Sequence, residues 1–242
     1  MAPPKRTLSI VIPAYNEESV LRAALDSIAA QTLPVDEVFV VDNHSQDATD
    51  AIAQSYPFVK LLQEPKRGIA PARDKGFNAA RSDLIGRIDA DTVLPPDWVA
   101  TVHRLGDKHA GEIYALSGPA YAYGLPRWLG RLVGHVVIAF GFFGISRLFL
   151  GHQPLYGSNM VITAAAWQKV KSETCTDSQS VHEDVDLSIH VNRYGLVVYE
   201  PSLKVGVSRR AFLGESPAKF WWRLQAWRQA ASRHRNLSKT VL

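Results

Sequence analysis

An α/β protein with a mainly parallel central sheet and helices on both faces is the fold class this sequence predicts. Short β-branched and apolar runs alternate with segments whose apolar residues recur at helical spacing. Polar turns carrying Asn16, Asp42 and Asp89 follow directly after three of those runs. With 242 residues and 46% hydrophobic content, the chain is long enough to bury a core of that size.

The elements follow in order. Thr7-Leu8-Ser9-Ile10-Val11-Ile12-Pro13 is apolar and ended by proline, so it reads as a central strand. Asn16 is the expected cap of a helix whose apolar positions are Val20, Leu21, Ala24, Leu25 and Ile28. Glu37-Val38-Phe39-Val40-Val41 is the second strand, ending at Asp42, and a helix follows through Ala51, Ile52 and Ala53. Val59-Lys60-Leu61-Leu62 is a third strand, an alanine-rich helix spans 70–80, and Leu84-Ile85-Gly86-Arg87-Ile88 is a fourth, buried strand. Pro95-Pro96-Asp97 opens a helix through Trp98, Val99, Val102 and Leu105, and Ala115-Leu116-Ser117-Gly118 adds a strand.

The segment 128–150 is the most apolar of the chain, yet glycine and histidine interrupt it and its apolar core falls short of the roughly 20 residues that cross a bilayer. It reads as a buried core helix or an interfacial one. Beyond it, Gly157-Ser158-Asn159 is a small-residue turn entering a strand. Val181-His182-Glu183-Asp184-Val185-Asp186-Leu187 fits both strand and helix spacing and is assigned to a helix because the resemblance described below favours one. Gly195 to Tyr199 and Lys204 to Ser208 close the sheet.

Composition narrows the class. The single cysteine, Cys175, cannot form an internal disulfide, and the N-terminal Met1-Ala2-Pro3-Pro4-Lys5-Arg6 lacks the apolar stretch of a secretion signal, so a cytoplasmic location is expected. The net charge of +4 conceals an asymmetry. From Leu203 onward nine basic residues face Glu215 alone, and the remainder of the chain is net acidic. That basic tail interleaves arginine with Phe220, Trp221, Trp222 and Trp227, a mixture suited to lipid headgroups rather than nucleic acid. A helix packing its aromatic side on the domain is the alternative. No Gly-x-Gly-x-x-Gly follows the first strand and no Walker loop is present, which argues against a dinucleotide or P-loop site.

The chemistry centres on Asp89-Ala90-Asp91. Two carboxylates separated by one small residue at a strand end can share a divalent cation, which characteristically takes its remaining ligands from substrate phosphates. In parallel sheets ligands lie beyond the carboxyl ends of the strands, where Asn16, Asp42 and Asp89 all fall.

Four segments then carry a resemblance. They are Val11-Ile12-Pro13-Ala14-Tyr15-Asn16-Glu17-Glu18, the run from Val40 to Thr49, Gly68-Ile69-Ala70-Pro71-Ala72-Arg73-Asp74-Lys75-Gly76, and Ile88-Asp89-Ala90-Asp91-Thr92. In order and spacing they resemble the motifs of the family 2 glycosyltransferases. The resemblance implies a GT-A fold, a UDP- or GDP-sugar donor, Mn²⁺ or Mg²⁺, and inversion at the anomeric carbon. By position it implies that Pro13, Tyr15, Glu17, Asp42 and Gly68 border the nucleotide, and that Arg73 faces the nucleotide or diphosphate. Asp89, Ala90 and Asp91 would serve ribose and metal, with Asp89 and Asp91 as the metal ligands. Gly157 and Asn159 would border the donor sugar. Glu183-Asp184 resembles the family's Glu-Asp motif, making Asp184 the catalytic base beside a donor-side Glu183, and Arg209 or Arg210 would reach the diphosphate. One departure is Asp42-Asn43, where the family commonly has two acids.

These assignments divide the chain into a nucleotide-sugar-binding half (1–110), an acceptor-binding and catalytic half (111–208) and an amphipathic helical tail (209–242). The expected acceptor is a glycan or a lipid-linked envelope precursor, with peripheral membrane contact through 128–150 and 212–235 on the inner face. The rival readings are a catalytically silent sugar-nucleotide- or lipid-binding relative and a sugar nucleotidyltransferase. The latter's glycine-rich basic loop is missing after the first strand.

Overall fold

The computed structural model describes residues 6–175 and 182–211, with the isolated positions 225 and 229. The helical tail expected over 209–242 therefore lies almost entirely outside the described residues. Strand β1 (Leu8–Ala14) is an interior strand of the sheet, flanked on both sides. Its Leu8, Ile10 and Ile12 enter one core layer and Val11 the other, as the two-residue period of a strand requires. Beside it, in parallel register, lie β2 (Glu37–Asp42) and β4 (Leu84–Arg87), with β3 (Val59–Gln63) outside β2. Helices α1 (Leu21–Ala29), α2 (Thr49–Gln54) and α4 (Trp98–Lys108) cover the first face through Leu21, Leu25, Ala53, Trp98 and Val102. The opposite face is covered by α3 (Ile69–Ala79), α7 (Ala164–Val170) and α8 (Glu183–Asn192), through Phe77, Trp167 and Leu187.

The sheet continues past β4 with β8 (Met160–Thr163), antiparallel to both β4 and β6 (Tyr114–Ser117), and ends at β9 (Leu196–Tyr199). Residues on both sides of position 110 thus share one seven-stranded sheet. A smaller sheet joins β5 (Thr92–Val93), β10 (Val205–Ser208) and β7 (Ala120–Tyr123). Strands β5 and β7 are absent from the sequence reading, because two to four residues carry too little periodicity to register. Strand order reverses between β1 and β4, since the chain first winds outward through β2 and β3 and then returns. Such a reversal opens a crevice at the carboxyl ends of the flanking strands.

Two expectations change. Asn16 does not cap α1, which starts after Val20 without a side-chain cap. Asn16 sits instead in the left-handed region at φ 54° and ties two loops together. The apolar segment forms one continuous helix, Arg127–Leu150, long and apolar enough to cross a membrane. It comprises α5 (Arg127–Val133), a π-helical stretch (Gly134–Gly144) and α6 (Ile145–Leu150). Gly130, Gly134, Ile138, Phe143, Ser146 and Leu150 are its buried positions, and within the π-helical stretch they recur at intervals of four and five, as the wider π turn requires. It is not a core helix, because Phe140 is 69% and Leu148 85% exposed.

Candidate active site

Three loops meet at the carboxyl ends of β1, β2 and β4. The backbone N–H of Asn16 donates to Ser45 Oγ (2.9 Å), and Asn16 Oδ1 accepts from the Gln46 N–H (2.8 Å). The Glu17 N–H donates to Thr49 Oγ1 (2.9 Å). These cross-links stitch the loop after β1 to the loop after β2 and place Pro13, Tyr15 and Glu17 along one rim. The Arg67 guanidinium stacks on the Tyr15 ring at 3.6 Å from its centroid, bringing the Gly68 loop to the same rim. Asp42 is buried beneath its own turn, accepting from the Ser45 N–H (3.1 Å).

The Asp42-Asn43 departure acquires a physical reason. Asn43 donates through Nδ2 to the carbonyls of Glu64 (2.9 Å) and Lys66 (2.7 Å), while its Oδ1 accepts from the Gly68 N–H (2.7 Å). A carboxylate at 43 has no proton to donate and would leave two carbonyls unpaired.

At the end of β4, Arg87 is the hub of the site. Its side chain is 1% exposed, and three carboxylates surround it. Arg87 Nη1 donates to Glu183 Oε1 (2.6 Å) and Asp184 Oδ1 (2.5 Å), while Nη2 donates to Asp89 Oδ1 (2.7 Å). One guanidinium fork therefore holds the expected base and the first acid of the Asp-Ala-Asp triplet in a fixed relation. Asp89 Oδ2 accepts from Ser158 Oγ, and Asp184 Oδ2 accepts from the Gly157 N–H (2.7 Å). Gly157 must be glycine at this point, because a Cβ there would fall on the Arg87 guanidinium and within 2.6 Å of Asp184 Oδ2.

Burial and charge give the carboxylates different characters. Burial pushes the Asp184 pKa well above the usual carboxylate range, the Glu183 charge adds to this, and Arg87 opposes it. Glu183 is equally buried, but Arg87 and Arg73 outweigh that burial and hold it firmly ionised. Of this adjacent pair, Asp184 is the one poised to take up a proton. Asp91 is raised to about 7 by burial and then by the charges of Asp89 and Glu17, against the pull of Arg210.

Several expected donor contacts are placed elsewhere. Arg73 is fully buried, and its guanidinium is occupied by Asp74 (2.8 Å) and Glu183, so it braces Glu183 rather than facing a diphosphate. Glu183, with an arginine on each oxygen, is likewise internal and not a donor ligand. Asn159 is fully buried, accepting from Trp98 Nε1 (3.1 Å) and donating to the Leu203 carbonyl (2.6 Å), which leaves its amide nothing for a sugar. Arg209 folds back on the Gly124 carbonyl (3.3 Å). Arg210 reaches the rim, with Nη2 at 2.7 Å from Glu17 and 3.9 Å from Asp91. Arg87, Ser158 and Asn43 are positions of this candidate site to which the sequence reading gave no role. The available signal was a lone arginine inside an otherwise apolar strand, since arginine is almost never fully buried unless paired.

The residues present fit a divalent cation. Asp91 stands near Asp89 and Glu17; burial first, and then their charges, raise its proton affinity, and a bound cation would relieve the repulsion among the three. Among the described residues no three acid, histidine or cysteine side chains enclose a metal on their own. That donor set suits an ion that completes its shell with substrate oxygens.

Residues 9–165 match the sequence model of the family described as Glycosyl transferase family 2. EpsH of Bacillus subtilis is 33% identical over 106 residues, 42% of this chain and 31% of that protein. The chondroitin synthase of Pasteurella multocida is 35% identical over 113 residues, 44% of this chain and 12% of that protein. The aligned region thus spans about a third or less of these relatives. Among solved structures, the mannosyltransferase PcManGT of Pyrobaculum calidifontis, in complex with GDP-Man and Mn²⁺, superposes with a TM-score of 0.70. It is 19% identical, and the match covers 96% of this chain and 65% of that one. Glucosyl-3-phosphoglycerate synthase of Mycobacterium tuberculosis, in complex with Mn²⁺, UDP and phosphoglyceric acid, gives 0.63 at 20% identity, covering 97% of this chain and 79% of that one. With the architecture of the GT-A glycosyltransferases and a family match over most of its sheet, the chain belongs to glycosyl transferase family 2.

Proposed function

We propose that the protein transfers a sugar from a UDP- or GDP-linked donor to an acceptor hydroxyl, with inversion at the anomeric carbon. The observation that carries this reading is the Arg87 fork, which holds Asp89 and Asp184 on either side of one guanidinium. The nucleotide lies along the rim formed by Pro13, Tyr15, Glu17, Asp42 and Gly68, with Ala90 beneath it, and Arg210 reaches the diphosphate. Asp89 and Asp91 would hold Mn²⁺ or Mg²⁺, which would neutralise charge on the diphosphate. Asp184 accepts the acceptor hydroxyl's proton as that oxygen bonds to the anomeric carbon and the carbon–oxygen bond to the diphosphate breaks. Gly157 keeps the backbone close enough to orient Asp184. The complexes of solved neighbours with GDP-Man or UDP and Mn²⁺ support the donor class and the cation.

The acceptor in this reading is a glycan or lipid-linked precursor on the cytoplasmic face of the membrane, with 1–110 binding the donor and 111–208 the acceptor. Asp184→Asn tests the chemistry. It should lower transfer to a hydroxyl by about 10²-fold or more while calorimetry shows donor affinity unchanged. Wild-type turnover in that variant would remove Asp184 from the mechanism.

A further inference from the structure

The Arg127–Leu150 helix has two chemically unlike sides. On the inner side Gly130 and Gly134 lie against the carbonyls of Ala122 and Ala120, where any Cβ would collide with backbone. Farther along, Phe142 and Phe143 pack on Tyr156 at centroid distances of 5.5 and 6.2 Å. Tyr156 immediately precedes Gly157, the residue that holds Asp184, so this side of the helix borders the candidate active site.

The outer side carries Trp128, Leu132, Val136, Phe140 and Leu148, between 51% and 85% exposed. The first four recur every fourth residue and form an apolar ridge. Arg127, Arg131 and His135, each one position earlier, run beside that ridge, and Arg147 extends the basic edge; all four are exposed. Between Glu112 and Glu173 the sequence contains no Asp or Glu.

We propose that this outer face docks flat on a membrane surface rich in anionic lipid. The ridge enters the acyl boundary while the guanidinium groups meet headgroup phosphates. A helix of this length and apolarity could cross a bilayer, but its inner face is clamped to β7 and to Tyr156. Crossing would drag charged neighbours into hydrocarbon. Pairing with a second copy would bring together two arginine-edged ridges with no carboxylate on the helix itself to compensate. Residues 212–235, almost all outside the described residues, repeat the pairing of arginine with tryptophan in their sequence. Docking in this pose turns the Asp184 side of the protein towards the bilayer and favours an acceptor anchored in lipid.

The docking proposal extends the transfer reaction proposed above without depending on it. The test is sedimentation of the full chain with phosphatidylcholine vesicles, with and without about 30% phosphatidylglycerol. Wild type should favour the anionic vesicles about tenfold or more. Phe140→Glu combined with Leu148→Glu, and separately Arg127→Gln, Arg131→Gln and Arg147→Gln together, should each lose about tenfold or more of that binding. Their unfolding midpoints, and any transfer to water-soluble acceptors, should stay unchanged. Unaltered partitioning of both variants would overturn the proposal. So would equal binding to both vesicle types with resistance to alkaline carbonate, the behaviour of a crossing helix. A wild-type dimer that Phe140→Glu with Leu148→Glu disperses, without vesicle binding, would assign the face to a second copy. Vesicle binding in a chain that transfers no sugar would leave this inference standing and remove the transfer reading.

Discussion

Arg87 places a permanent positive charge under three carboxylates that would otherwise repel one another, and its pKa is raised by Glu183, Asp89 and Asp184 despite complete burial. Removing one partner of such a buried cluster strands the others, which typically costs about 3–5 kcal/mol. Arg87→Met should therefore lower stability by about that amount in chemical denaturation. Activity should respond in a second way that a purely structural residue would not produce. The proposed base Asp184 can act only when ionised, and its pKa is raised, so kcat/KM should rise with pH along an acid limb above the ordinary carboxylate range. Arg87 opposes that shift, so its removal should carry the limb to still higher pH. Arg87→Lys, which keeps the charge but not the fork, should move it less. A limb that stays in place in both variants would confine Arg87 to a structural role.

At the scale of elements, the antiparallel strand β8 brings the turn 157–159 to the same edge as the loops after β1 and β4. Gly157→Ala would push a methyl group into the contact between Arg87 and Asp184. The expected outcome is a fall in kcat of about tenfold or more with little change in donor affinity, because a misplacement of about 1 Å at a reacting group is costly. A kcat within twofold of wild type would show that the backbone N–H to Asp184 is dispensable. The neighbouring π-helical stretch has a similar logic. Its buried residues recur at four to five positions, a period that a 3.6-residue reading does not resolve, so its one-sided burial was hidden in the sequence.

For the whole molecule, a ligand that binds only the folded chain raises its stability, by about 2.7 kcal/mol at a hundredfold excess over Kd. Thermal unfolding with UDP- and GDP-sugars should therefore shift upward for one nucleotide class, and further when Mn²⁺ is present. Asp91→Asn should abolish the Mn²⁺-dependent part alone; an unchanged increment would take Asp91 out of the metal site. The principal strands, the mainly parallel character of the sheet and the nearness of Asp89 to Asp184 were legible beforehand, because apolar periodicity and ordered motifs are local signals. Arg87, Ser158 and Asn43 were not, since their importance lies in partners up to 97 residues away. Arg73 and Asn159 misled for the same reason: a polar residue near a motif looks ligand-facing until its internal partners are known.

Ser117 at the end of β6 and Met160 at the start of β8 are register partners, so everything from 118 to 159 leaves the sheet and returns to it at a single point. A detour closed at its base in this way behaves as a cassette. A change of length between β7 and Gly157 would leave the pairing of the seven strands untouched, provided that Gly157 and Ser158 keep their contacts with Asp184 and Asp89. Diversification of what the protein modifies, and of where it resides while doing so, can thus proceed through one replaceable stretch of chain.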